Sequence, residues 1–174
     1  YKLALAMSEY TQNLQFAVPL LHLGVPNFFN ATATTEIYTS GAHHVLEWTP
    51  DALMASAPVR EWTRFMLRRA MQEATVIVAP VHELDHFGAD ELARKVIVTS
   101  TVNDRRLAAF RDKNVDMVVD GAPLVFDHVL GPSLLDAMII AATGRTGDDI
   151  LEDDYLEIIE GLQLEPRILY PNGY

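Results

Sequence analysis

The residues with the clearest chemical spacing are His82, Glu83 and His86, in the stretch APVHELDHFGADEL at positions 79–92. Together they spell H-E-x-x-H, the pattern of zinc proteases. On a helix, residues four apart share one face, so two imidazoles can hold one zinc ion while the glutamate activates a bound water. This chemistry requires a helix through the motif and a third protein ligand.

The elements around the motif argue against a zinc site. The run ATVIVAPV leads directly into the motif and is typical of a strand buried on both faces. Pro80 disfavours a helix at the end of this strand, and Phe87-Gly88 closes the motif. No third ligand is apparent, because His128 is the only later histidine and the metzincin extension is absent. We therefore predict a polar loop without a metal, and keep a zinc-dependent hydrolase as a minor alternative.

Strands and helices alternate along the chain from this loop onward. The apolar runs TVIVAPV, KVIVTST and DMVVDGAP are separated by short helical patterns, and RILYP is a candidate final strand. This alternation predicts an α/β fold with a doubly wound, mostly parallel, Rossmann-like sheet, in a single domain spanning residues 1–174. In such sheets ligands bind beyond the carboxyl ends of the strands. We expect one crevice there, lined by Pro80–His86, Thr99–Asn103 and Asp120–Pro123.

Three helices have clear sequence signals. VREWTRFMLRRAMQEA has a helical period and a predicted buried stripe that includes Trp62 and Phe65. Asn103 is a candidate N-cap for the helix that follows KVIVTST. GPSLLDAMIIAATG places Pro132 in a first turn and Gly144 at a C-terminus. This last helix is apolar nearly all round, so we expect it to be buried.

Composition limits the class of protein. With 174 residues, of which 49% are hydrophobic, the chain can bury a proper core, and no apolar run is long enough to span a bilayer. The net charge of -11 would repel nucleic acid. The absence of cysteine fits a reducing compartment, so we predict a cytoplasmic protein. The abrupt start on YKLALAMS predicts a domain excised from a longer protein.

The N-terminal stretch lies where a dinucleotide-binding unit would have its glycine-rich turn. YKLALAMS predicts a strand, Thr11 is a candidate cap for a following helix, and the turn between them is Ser8–Gln12. This turn has no glycine, G-x-G-x-x-G occurs nowhere in the chain, and Glu9 would repel a phosphate. We therefore expect NAD or NADP to bind weakly.

Three stretches also carry a family resemblance: EATVIVAPVHELDHFGADELARKVIVTSTVNDRRLAAFRDKNVDMVV, LGPSLLDAMIIAATGR and LEDDYLEIIEGLQLEPRI. From about Glu73 to Gly173 their order resembles the C-terminal part of bacterial proteins called quinate 5-dehydrogenase, a Rossmann-like family. The resemblance implies NAD(P)-dependent oxidoreduction. Thr99, Ser100 and Thr101 fit the polar strand end of that family.

The chain departs from this family at two loops. Asp120-Gly121-Ala122-Pro123 stands where the family has Thr-Thr-Thr-Pro, and Gly131-Pro132-Ser133 where it has Gly-Thr-Asn. Quinate and shikimate dehydrogenases also use a Lys-Asp pair from a separate substrate domain. None of the three lysines here lies in such a motif, so the resemblance implies that any such pair lies in a preceding part of the protein.

The sequence thus leaves two main functions open. One is the nucleotide-binding half of an NAD(P)-dependent oxidoreductase of the quinate/shikimate dehydrogenase-like type. The other is a non-catalytic module that binds a small molecule or assembles into a homo-oligomer. The sequence assigns no catalytic residue. The candidate residues for binding a cofactor are Ser8, Thr11, Thr99, Ser100, Thr101, Asn103 and Gly121.

Overall fold

The computed structural model describes residues 7–17, 20, 28, 57–86, 92–125, 128–145 and 149–173. Contacts within the chain group into two compact units, Tyr1–Glu73 and Ala74–Tyr174, which are described separately below. The single domain expected for residues 1–174 stays a prediction.

The protein contains both helices and strands, which are numbered here in chain order. In the first unit, helix α1 spans Ala57–Glu73. The second unit contains, in chain order, β1 (Val76–Val78), α2 (Val81–His86), β2 (Val96–Thr99), α3 (Asp104–Asp112), β3 (Met117–Asp120), β4 (Leu124–Val125), β5 (His128–Val129), α4 (Pro132–Thr143), α5 (Glu152–Gly161) and β6 (Arg167–Leu169).

The main sheet of the second unit has the strand order β1-β2-β3-β6. Neighbouring strands β1, β2 and β3 are parallel, whereas β6 runs antiparallel to β3. Strands β4 and β5 form a separate two-stranded antiparallel ribbon. The predicted α/β class and the predicted final strand are confirmed, and the sheet is small and mixed.

The two faces of this sheet differ in burial. Residues opposite each other in the register share a face, and successive residues of a strand alternate between faces. On one face Ile97 and Val118 are completely buried. On the other face Val78 and Ile168, at the two outer strands, are 38% and 59% exposed. The β-branched runs therefore predicted the strands correctly, but the expected burial of β1 on both faces is wrong, because Val76 and Val78 are exposed.

The H-E-x-x-H motif lies in helix α2, so the predicted loop is wrong. Pro80 precedes the helix, and its carbonyl accepts the backbone N–H groups of Glu83 and Leu84 at 3.1 and 3.3 Å. A proline at this position does not interrupt a helix, because its missing N–H would have had no intrahelical partner. Buried Val81 and Leu84 then anchor the helix.

The described part of the N-terminal stretch also differs from expectation. Met7 and Ser8 are helical rather than extended, and the N–H groups of Tyr10 and Thr11 both donate to the Met7 carbonyl. Residues 11–17 are not helical, so Thr11 does not begin a helix. Its hydroxyl instead accepts the N–H of Asn13 at 3.2 Å, a local turn that competes with helix formation.

The predicted helix ends are confirmed, but two predicted buried surfaces are not. Asn103 caps α3, Pro132 starts α4, and Gly144 ends α4 in the left-handed conformation at φ 65°. In α4, however, Leu134 and Met138 are 53% and 42% exposed. In α1, Trp62 and Phe65 are 46% and 56% exposed, with ring centroids 5.8 Å apart. An apolar helix surface is buried only where another element meets it.

Candidate functional site

Three polar residues form a row across the sheet. Thr99 ends β2, Asp120 ends β3 and Arg167 begins β6, and the register sets Asp120 opposite both of the others. All three therefore lie on the same face as the buried Ile97 and Val118, at the carboxyl ends of β2 and β3. This is the edge at which parallel sheets bind ligands.

Asp120 is completely buried, and both oxygens of its carboxylate accept hydrogen bonds. Its Oδ1 accepts the N–H groups of Thr101 at 2.8 Å and Ala122 at 2.9 Å. Its Oδ2 accepts the N–H of Val102 at 2.9 Å and a hydrogen bond from Nη2 of Arg167. A buried charge is tolerated when it is paired and hydrogen-bonded in this way. Asp120 thus ties the loop after β2 to the loop after β3 and to β6.

The backbone around Asp120 is an anion-binding arrangement that the protein fills with its own carboxylate. Successive N–H groups that converge after a strand form the concavity in which many proteins hold a phosphate. Here the N–H groups of Thr101 and Val102 point at Asp120 instead. A phosphate at this turn would have to displace a buried, paired carboxylate.

Arg167 of strand β6 contacts both Asp120 and the loop after β2. Besides Asp120, its Nη2 donates to the Val102 carbonyl at 2.8 Å. Among the described residues, its Nε and the Thr99 hydroxyl are buried polar atoms without a hydrogen-bond partner. Buried polar groups are normally satisfied, so these two atoms are places for an ordered water or a ligand atom.

Thr101 is held in an unusual conformation next to this row. Its φ is 64°, in the left-handed region that a β-branched residue rarely adopts. The hydrogen bond from its N–H to Asp120 helps to hold it there, and the residue is exposed. Its hydroxyl lies 3.9 Å from the position that a Cβ on Gly131 would occupy. The lack of a side chain at Gly131 therefore leaves space beside the Thr101 hydroxyl.

We call this region the edge site, which comprises Thr99, Ser100, Thr101, Asn103, Gly121 and Gly131. The first five were predicted from the sequence, and the structure brings them to one edge of the sheet. Gly121 donates its N–H to the Thr99 carbonyl at 2.8 Å. Asn103 is already engaged, because its side chain accepts the N–H of Arg106 at 3.0 Å as the cap of α3.

The remaining predicted cofactor residues, Ser8 and Thr11, belong to the first unit. Thr11 follows a short helical turn, and the described residues 11–17 do not form the helix start that should have placed Ser8 and Thr11 against a phosphate. The argument that Glu9 would repel a phosphate at a helix N-terminus therefore loses its structural basis. The other five predicted cofactor residues lie together at the edge site of the second unit.

The loop after β1 reaches the same edge, because β1 is parallel to β2. There Asp85 of α2 forms an ion pair with Arg106 of α3. His82 is exposed, and the side chain of His86 lies outside the described part of the chain. Within that part, no group of three or more His, Cys, Asp or Glu side chains could hold a metal ion. The predicted crevice and the absence of zinc both stay predictions.

Sequence reasoning missed the role of Arg167. The sequence places this arginine 47 residues after Asp120, and nothing local connects them. The available signal was an acidic residue at the end of the buried run DMVV and a basic residue at the start of the last predicted strand. Only the antiparallel pairing of β3 with β6 sets the two opposite each other.

No helix of the described residues is long and apolar enough to cross a membrane. Comparison with curated proteins and with solved structures gave no match for the chain. One family model does match, over residues 1–171, and its description is Domain of unknown function (DUF8754). Because this match covers nearly the whole sequence, the chain belongs to the DUF8754 family.

Proposed function

We propose that the second unit is a Rossmann-like unit that binds a small polar molecule at the edge site. The observation that carries this proposal is the left-handed backbone of Thr101. Such a conformation costs on the order of 1–3 kcal/mol and persists where the surroundings enforce it, most often at functional sites. Here the enforcing group is a buried carboxylate, and the residue under strain presents a hydroxyl at the ligand-binding edge of a parallel sheet.

The chemistry of the edge site favours a ligand rich in oxygen atoms. Ser100 and Thr101 supply hydroxyl groups that both donate and accept hydrogen bonds. Helix α4 begins at Gly131 without a side-chain cap, so the partial positive charge of its N-terminus is not offset by a capping side chain. A small hydroxylated or carboxylate-bearing molecule matches these groups.

A second candidate is the nucleotide-binding half of an NAD(P)-dependent oxidoreductase. It is favoured by the parallel β2-α3-β3 arrangement, which ends at the edge site, and by the resemblance to quinate 5-dehydrogenases. Against it, Asp120 already occupies the backbone N–H groups that a pyrophosphate would use. We therefore expect NAD or NADP to bind the chain with a dissociation constant above roughly 100 μM.

Isothermal titration calorimetry tests both candidates on the full chain. The ligands are quinate, shikimate, inorganic phosphate, NAD(H) and NADP(H). We expect saturable binding of a small oxygen-rich acid that weakens at least about tenfold in Thr101→Gly, which removes the hydroxyl but accepts the backbone conformation. Gly131→Leu, which fills the space beside the hydroxyl, should weaken it as well, whereas Gly131→Ala should change it little.

Thr11→Ala serves as the control in the first unit, and it should leave the affinity unchanged. If NAD(H) or NADP(H) binds with micromolar affinity and Thr101→Gly weakens this binding, the result favours the oxidoreductase over the unit that only binds a small molecule. Binding that responds to Thr11→Ala but not to the Thr101 and Gly131 variants would exclude the edge site.

A further inference from the structure

We propose that Asn172 is a site of spontaneous deamidation, and that the turn after β6 controls the rate of this modification. Asn172 precedes Gly173, and this is the only Asn-Gly pair in the sequence. Glycine has no side chain to shield its backbone nitrogen, and its backbone adopts conformations that other residues resist. The site lies within the second unit, and the proposal does not depend on the edge site.

The reaction takes place between two neighbouring groups of the chain and needs only water. The Gly173 backbone nitrogen loses its proton and attacks Cγ of Asn172, which forms a new N–C bond and closes a cyclic imide. The bond between Cγ and Nδ2 breaks, and Nδ2 takes up a proton and leaves as ammonia. Water then opens the imide at one of its two carbonyl carbons. Opening at the side-chain carbonyl gives aspartate, and opening at the main-chain carbonyl gives isoaspartate.

The fold holds both reacting groups in hydrogen bonds that the reaction must break. Nδ2 of Asn172, the leaving nitrogen, donates to the Val115 carbonyl at 3.0 Å. The N–H of Gly173, the attacking nitrogen, donates to the Tyr170 carbonyl at 3.1 Å and closes the turn after β6. The imide therefore forms only from a state in which this turn has opened locally.

The turn is fixed to the rest of the unit, although its reacting groups are open to solvent. Pro171 is fully buried, and its carbonyl accepts a hydrogen bond from Nε of Arg111 at 2.6 Å. Asn172 and Gly173 are exposed, and a Cβ at Gly173 would meet nothing within 4 Å. Water thus reaches the site freely, so the opening of the turn, and not access, limits the rate of deamidation.

The products cannot restore the contacts that hold the turn. Aspartate has no N–H to donate, and it places a carboxylate against the carbonyl oxygen of Val115, which is also an acceptor. Isoaspartate in addition lengthens the main chain by one carbon, which moves the Gly173 N–H relative to the Tyr170 carbonyl. Because the turn directly follows β6, each modified chain should be less stable than the unmodified protein.

Peptide mapping by mass spectrometry measures the reaction on the full chain at mildly alkaline pH, through the mass gain when an amide becomes a carboxylate. Asn172 should be modified at least about tenfold more slowly in the folded chain than in the same chain unfolded in urea, because two hydrogen bonds must break first. Asn114 is the internal reference in urea. Its next residue is the β-branched Val115, so it should react much more slowly than Asn172.

Two substitutions in α3 separate the role of the turn from the intrinsic chemistry. Arg111→Gln removes the hydrogen bond that fixes Pro171, so it should raise the rate in the folded chain at least about threefold and leave the rate in urea unchanged. Arg105→Gln changes another exposed arginine of the same helix and should leave both rates unchanged. Asn172→Asp creates one of the two products and should lower the thermal midpoint by roughly 2–4 °C.

Three results would overturn the proposal. The first is the absence of modification at Asn172 in the unfolded chain, which would remove its chemical basis. The second is an equal rate in the folded and the unfolded chain, which would show that the turn gives no control. The third is an equal rate for folded Arg111→Gln and folded Arg105→Gln. If Arg111→Gln fails to fold, the comparison of folded and unfolded wild type decides the question.

Discussion

Asp120 and Arg167 lie directly opposite each other on the antiparallel strands β3 and β6, and their side chains form an ion pair on the buried face of the sheet. The same carboxylate holds the loop after β2 through two backbone N–H groups. The shape of the edge site therefore depends on the last strand of the chain, although the two residues are 47 positions apart.

Asp120→Ala should destabilise the protein by about 3–5 kcal/mol, because it leaves the Arg167 charge and three backbone N–H groups without their acceptor. Urea denaturation at neutral pH measures this loss. The double variant Asp120→Ala/Arg167→Met, which removes both charges, should lose less than the sum of the two single variants. Strict additivity would mean that the pair is not coupled.

Thr101→Gly should leave stability unchanged or raise it by up to about 1 kcal/mol. Glycine accepts the left-handed conformation that costs other residues roughly 1–2 kcal/mol, although it gains more freedom in the unfolded chain. Ser100→Gly is the control, since Ser100 is not among the residues with positive φ, and it should be mildly destabilising. Thermal denaturation of both variants compares them, and a clear loss in Thr101→Gly would show that Thr101 is not strained.

Two glycines near helix ends should respond in opposite ways to alanine. Gly144→Ala should cost about 1 kcal/mol, because Gly144 has φ 65° at the end of α4. Gly161→Ala should be neutral or stabilise by up to about 1 kcal/mol, because Gly161 is helical and an added Cβ would have open space. Urea midpoints of the two variants check this, and equal effects would contradict the assigned conformations.

Stability should fall at acid pH partly through Asp154. Its pKa lies below the ordinary value of 3.8, first because it accepts the Leu151 N–H at 2.9 Å and second because Arg145 donates to it. A depressed folded-state pKa stabilises the protein above the unfolded pKa, and this contribution disappears as the pH falls through the folded value. The stability difference between the wild type and Asp154→Asn should therefore be present at pH 6 and shrink below about pH 4.

Thermal denaturation across this pH range measures that difference. Asp153→Asn, at the exposed neighbouring position, is the control for removing one negative charge from α5. A difference for Asp154→Asn that stays constant down to pH 2, or that matches the effect of Asp153→Asn throughout, would contradict the role of Asp154 at this helix start.

Purified protein should contain far less than one zinc ion per chain. His82 is exposed, and the described residues contain no group of three side chains able to hold a metal. Zinc sites in proteins require three or four such ligands. Elemental analysis after dialysis against zinc checks this, and one tightly held zinc per chain that is lost in His82→Ala would establish a metal site at the H-E-x-x-H motif.

Local sequence signals determined most of the elements. The β-branched runs predicted β1, β2 and β3, and the caps Asn103, Pro132 and Gly144 predicted the ends of α3 and α4. These signals act within three or four residues, through backbone preference and capping hydrogen bonds, so they can be recognised without knowing the fold. The polar ends of the strands also led to five of the candidate residues, which lie at one edge of the sheet, and their role in binding stays a prediction.

Tertiary structure decided what local signals could not. The H-E-x-x-H segment became a helix because Val81 and Leu84 are buried, while Leu134 and Met138 of the apolar helix α4 remained exposed. Burial depends on which elements meet, and the sequence of one helix does not contain that information. The pairing of Asp120 with Arg167 required the register of two strands that approach only in the folded chain. The sequence by itself therefore determined most of the elements and the polar ends of the strands, whereas only the folded sheet brought Arg167 to Asp120.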